Sequence, residues 1–94
     1  MTAIRTAREF VAMMVRQHGR KRGLMLAGAA VERSEHWARA VHYGEAQSVS
    51  DEVATRAARA RLALAEQRLA QLDAEAAELK RIINASCSHV REAR

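Results

Sequence analysis

Residues 20–44 read RKRGLMLAGAAVERSEHWARAVHYG, and this stretch decides the fold. Leu24, Leu26, Ala27 and Ala30 recur at helical rather than strand spacing, which predicts a helix starting near Arg20 with these residues inward. Gly23 and Gly28 oppose it by intrinsic propensity, although Gly28 suits a close helix contact. Val31-Glu32-Arg33-Ser34 interrupts the pattern, and Ser34 is a ready cap for a further helix over Glu35–Tyr43. Gly44 then ends that helix, because glycine enters the left-handed C-terminal conformation without a Cβ penalty.

Upstream, Ile4, Ala7, Val11 and Met14 repeat at helical spacing, with Phe10 and Val15 widening the stripe. A first helix from Thr2 or Ala3 to Gln17 follows, with Gly19 as its terminator. Downstream, residues 45–50 form a short polar loop. Ser50 caps a long helix whose opening Asp51 and Glu52 face the positive end of the helix dipole. Nothing interrupts that helix until about Ala85, and Ser86–Arg94 is expected to fray. The fold class is all-α: a three-helix head over residues 1–49, then one long helix over 50–94. The chain has no proline and four glycines, as a helical protein requires. Its aromatic residues, Phe10, Trp37 and Tyr43, all lie in the first half. The core is therefore small and sits there, at a size that commonly needs a partner chain.

The formal net charge of +5 is uneven. Residues 1–50 carry eight Lys/Arg against four Asp/Glu, a balance of +4, and residues 51–94 carry eight against seven, a balance of +1. A basic excess confined to the compact half points to a polyanionic partner. Cys87 is the single cysteine, so no disulfide framework forms. The longest apolar runs, 10–15 and 24–31, are too short to span a bilayer, and no signal-peptide pattern opens the chain. A cytoplasmic protein without a membrane partner is the expectation.

Residues 20–44 resemble the helix-turn-helix of small regulators found in bacteria, phages and mobile elements. The resemblance rests on Ala27, the break at Val31–Ser34, Trp37 and Val41 facing inward, and the closing Gly44. It departs at Val31, which stands where the family prefers a turn glycine; a turn longer by one residue reconciles the two. Such a motif buries one stripe of its second helix and offers the other to the DNA major groove. On a helical wheel, Trp37, Ala40 and Val41 cluster with Ser34 beside them, while Glu35, Ala38, Arg39 and His42 lie opposite. Trp37 is thus expected as the core anchor. Arg39 is the first candidate for reading a base, because arginine bonds both major-groove acceptors of guanine; Glu35 and His42 follow. Arg16, Arg20, Lys21, Arg22 and Arg33 form the basic cluster expected on phosphates. Three cations in succession at a helix start oppose the dipole, a cost that a phosphate would offset.

The long helix carries a heptad pattern. With Leu62 at position a, that series reads Leu62, Leu69, Ala76, Ile83, and the d series reads Ala58, Ala65, Leu72, Leu79. Leu62, Leu69, Leu72, Leu79 and Ile83 would form the seam of a parallel homodimer. The flanking pairs Arg61–Glu66, Arg68–Asp73 and Glu75–Lys80 are all of opposite sign. A shifted antiparallel pair and a fold-back onto the head stay open. A second stripe, Val53, Ala57, Ala60 and Leu64, either docks on the protomer's own head or reflects alanine richness alone.

No enzymatic constellation is visible. Cys87 and His89 lack the further ligands of a zinc site, and His36 and His42 are six apart on one helix. No cofactor, metal or small-molecule ligand is expected. The sequence thus points to sequence-specific binding of double-stranded DNA as a homodimer, as in a repressor. The rivals are a helical protein-binding adaptor or inhibitor, and a nonspecific nucleic-acid-binding protein.

Overall fold

The computed structural model describes the backbone of residues 2–92 and the side chains through Cys87. Four helices follow one another: α1 (Ala3–His18), α2 (Arg20–Ala30), α3 (Glu35–His42) and α4 (Asp51–Glu92). One compact unit ends at Ala63, and a second begins at Leu64. Among the described residues, no helix is long and apolar enough to cross a membrane.

Each helix starts or stops where local chemistry dictates. The hydroxyl of Thr2 accepts from the Arg5 amide at 3.3 Å, that of Ser34 from Trp37 at 3.1 Å, and that of Ser50 from Val53 at 3.2 Å. Such caps satisfy amides that have no partner inside the helix. Gly19, with φ 86° and ψ 164°, ends α1 and begins α2 in a conformation that side chains avoid. Past α3, Gly44 adopts φ 75°. The Glu45 amide then reaches the Ala40 carbonyl at 2.8 Å and the Gly44 amide reaches Val41 at 3.3 Å, the paired bonds of a Schellman ending. The last helix does not stop near Ala85 but runs to Glu92, since neither proline nor glycine follows to break it. Of the tail expected to fray, Ala93 and Arg94 lie outside the described residues.

The core of the first unit joins Phe10, Val11 and Met14 of α1, Leu24 and Ala27 of α2, Val31 of the turn, and Val41 of α3, all nearly or fully buried. Ala30, expected inward, is exposed. Two glycines set how closely the helices approach. A Cβ on Gly23 would stand 2.6 Å from the Met14 carbonyl oxygen, so α1 and α2 meet backbone to backbone there. A Cβ on Gly28 would collide with the Ser34 carbonyl, so the start of α3 rests directly on α2.

That second contact rolls α3 away from the face expected for it. Ala38, assigned outward, is completely buried, whereas Trp37 is half-buried and is not the core anchor. Ala38 and Val41 form the inward face of α3, and the indole of Trp37 lies at its rim. The turn itself also differs. Its left-handed residue is Glu32, at φ 59°, not Val31, which is fully buried. A β-branched residue tolerates positive φ poorly, so the turn passes that role to its exposed neighbour.

The first turns of α4 belong to the same unit as α1–α3. Val53, Ala54 and Ala57 are buried, with Ala60 half-buried, so the first part of the second stripe docks within this unit, while its last residue, Leu64, belongs to the second. The loop over residues 45–50 therefore connects elements of one unit instead of dividing two.

Candidate nucleic-acid interface

The N-terminal turns of α2 bring Arg20 and Lys21 to the surface, and the outward face of α3 brings Glu35 and Arg39. These four, with Leu24 and Tyr43, line one open cleft of about 380 Å³. Residues nearly twenty positions apart in the chain thus converge because α3 folds back over α2 through a four-residue turn.

The charges in this region are unevenly satisfied. Arg39 lies 3.7 Å from Glu35, one turn away on the same helix, with their side chains 58% and 41% exposed. An exposed pair at that spacing is worth only about 0.3–0.5 kcal/mol, so a better acceptor readily draws Arg39 away. Arg16, Arg20, Lys21, Arg22 and Arg33 are all exposed and have no carboxylate partner among the described residues. Arg8 shares that condition. By contrast, Arg5 and Arg61 pair with Glu9, and Arg56 pairs with Glu32 and Glu52. Arg5, Arg56 and Arg61 are thus paired within the unit, while the cations at the start of α2, like Arg8, Arg33 and Arg59, have no carboxylate partner among the described residues.

The start of α2 adds to this field. Gly19 supplies no side-chain cap, and no acidic residue sits in the first turn. Free amides at a helix N-terminus point outward with the positive end of the dipole, which favours an anion. Arginine and lysine side chains and backbone amides here share one preference, for anionic oxygens such as those of phosphate or carboxylate.

Not every residue singled out in the sequence joins the cleft. His42 is half-buried, and its ring meets Tyr43 edge to face at 4.9 Å. Arg16, Arg22 and Arg33 are exposed but do not line the cleft. Tyr43 does line it and is 51% exposed, although the sequence marks it only as the end of a helix. A signal for it exists: Tyr43 stands four residues after Arg39 and eight after Glu35, one helical face.

On the long helix, Leu62 in the first unit is exposed. Leu69, Leu72, Leu79 and Ile83 in the second are 50–60% exposed, and Ile82, outside the expected seam, is exposed as well. Among the described residues, no group of three His, Cys, Asp or Glu side chains is placed to hold a metal ion. Cys87 is exposed, and the side chain of His89 lies outside the described residues. No family model matches this chain, and no curated protein or solved structure is detectably similar to it.

Proposed function

We propose that this protein binds double-stranded DNA sequence-specifically through its first unit, as a homodimer that regulates transcription, most simply by repression. The observation that carries the reading is the shared cleft. Arg20 and Lys21, without carboxylate partners among the described residues, face the same space as Arg39 and Glu35 of α3. Cations that hold the phosphate backbone and side chains that discriminate base edges have to work side by side in this way. The helix pair joined by a four-residue turn is the helix-turn-helix form of that arrangement, with α3 as the helix that enters the major groove.

The division of labour follows from the chemistry. Arg20, Lys21 and Arg22 hold the DNA backbone and set the register, a contribution that is strong but blind to sequence. Arg39 exchanges Glu35 for the O6 and N7 acceptors of a guanine, and Glu35 is then free to accept from a cytosine amine. Two copies related by a two-fold axis require an inverted repeat with half-sites about one helical turn, or a multiple, apart.

Selection from a library of random duplexes tests this. Recovery of an inverted repeat containing a G·C pair in each half-site is the expected result. Recovery of unrelated sequences with strong salt dependence would favour nonspecific packaging. No retention above background at low salt would leave the adaptor reading in its place.

A further inference from the structure

The second unit presents an apolar stripe that nothing in its own chain covers among the described residues: Leu69, Leu72, Leu79 and Ile83 are each at least half exposed. Four such side chains at alternating spacings of three, seven and four lie along one side of a helix, at a and d positions. Large apolar residues left in water on a helix, rimmed by charge, mark a contact surface.

We infer that this stripe is the seam of a parallel, in-register pair with a second copy of the chain, confined to about residues 65–83. The inference deepens the homodimer part of the functional reading by assigning its segment and orientation, and it does not depend on DNA.

Charge decides the orientation. In a parallel pair each g residue faces the e residue of the next heptad on the other chain. Arg68 then faces Asp73 and Glu75 faces Lys80, and each contact occurs twice by symmetry. All four are attractive. A fully overlapped antiparallel pair would set Leu69 against Leu79 and Ala76 against Leu72, which in turn sets e against e and g against g. Glu66 would meet Lys80 twice, but Asp73 would meet Asp73 and Glu75 would meet Glu75. Two attractions are then offset by two repulsions.

The structure also limits the segment. Arg61, whose pairing with Glu66 the sequence allowed, is bound 3.4 Å from Glu9 within the first unit. The Val53, Ala54 and Ala57 face of α4 is already buried there. Within the second unit the charge pairing falls to Arg68–Asp73 and Glu75–Lys80.

Disulfide trapping in the full chain, with Cys87→Ser to remove the native thiol, tests this directly. Ala65→Cys and Ala76→Cys place thiols at d and a positions, where a parallel in-register pair sets each residue beside its own copy. Both variants should form the covalent dimer to more than half under mild oxidation, with little product from a control Ala70→Cys on the outer face. An antiparallel pair would give neither homodimer but would cross-link a mixture of the Ala65→Cys and Ile83→Cys chains, and that result overturns the orientation. A monomer by sedimentation at tens of micromolar, with no trapping, overturns the seam itself. Because no DNA is present, failure here and failure of the DNA reading are separately visible.

Discussion

The guanidinium of Arg56 donates a hydrogen bond to the main-chain carbonyl of Val31 at 3.4 Å. The same group lies 3.2 Å from Glu32 and 2.8 Å from Glu52. One side chain near the start of α4 therefore holds the turn between α2 and α3, including its left-handed residue. The first turns of α4 are thereby a fourth wall of the first unit.

Arg56→Met should consequently loosen the turn while keeping the buried part of the side chain. The lost charged hydrogen bond, discounted for partial exposure, is worth about 1 kcal/mol. Denaturant titration should register that loss. An unchanged midpoint would mean that the turn holds its shape without α4.

Gly28→Ala should destabilise the protein although alanine is the better helix former by roughly 1 kcal/mol. The added methyl meets the Ser34 carbonyl, which belongs to the backbone and has no free rotation to yield. A net loss of about 1–3 kcal/mol is expected from forcing α2 and α3 apart. Gly19→Ala makes the comparison: nothing lies within reach of the new Cβ, so its penalty comes only from the backbone conformation. Thermal melts of the two variants, read by circular dichroism, separate a packing cost from a conformational one.

Trp37→Ala should cost only about 1–2 kcal/mol, well below the roughly 3–5 typical of a fully buried tryptophan. The indole sits at the rim of the core, with Ala38 and Val41 innermost. Ala38→Leu, a change that looks conservative in the sequence, should be the more damaging of the two because no space awaits the larger side chain. The opposite order of stabilities would show that α3 is rolled the other way.

Arg20→Gln and Lys21→Gln should weaken binding to specific and random duplexes about equally. Each should reduce the salt-dependence slope by roughly 0.9 for every phosphate that the variant no longer neutralises. Titrations at several salt concentrations measure both quantities. A slope unaffected by either change would remove these residues from the interface.

Arg39→Ala should keep the fold, since its only ion pair among the described residues is a weak exposed one. It should cost about 1–3 kcal/mol per half-site on the selected sequence and relax preference at one base pair, with random-duplex affinity nearly unchanged. Retained discrimination in a folded Arg39→Ala variant would exclude α3 as the reading helix.

The helices, their starts and the ends set by glycine are legible in the sequence because they are local events, whereas the end of α4, which no glycine or proline marks, is not. Thr2, Ser34 and Ser50 cap amides three residues away, and Gly19 and Gly44 stop helices through their own backbone freedom. The residues of the cleft are nearly all legible too, since charge at the start of α2 and on α3 follows from spacing. Which face of α3 turns inward is not local. Trp37 and Ala38 are neighbours in the chain, and hydrophobicity alone favours the larger one for the core. The choice falls to Ala38, which is fully buried while Trp37 is half-buried, in a unit where the start of α3 rests directly on α2 at Gly28. In the same way, only the folded unit decides that Arg61 is held by Glu9 and that Arg56 grips the turn. Those partners lie 52 and 25 residues away along the chain, beyond the reach of any periodic pattern.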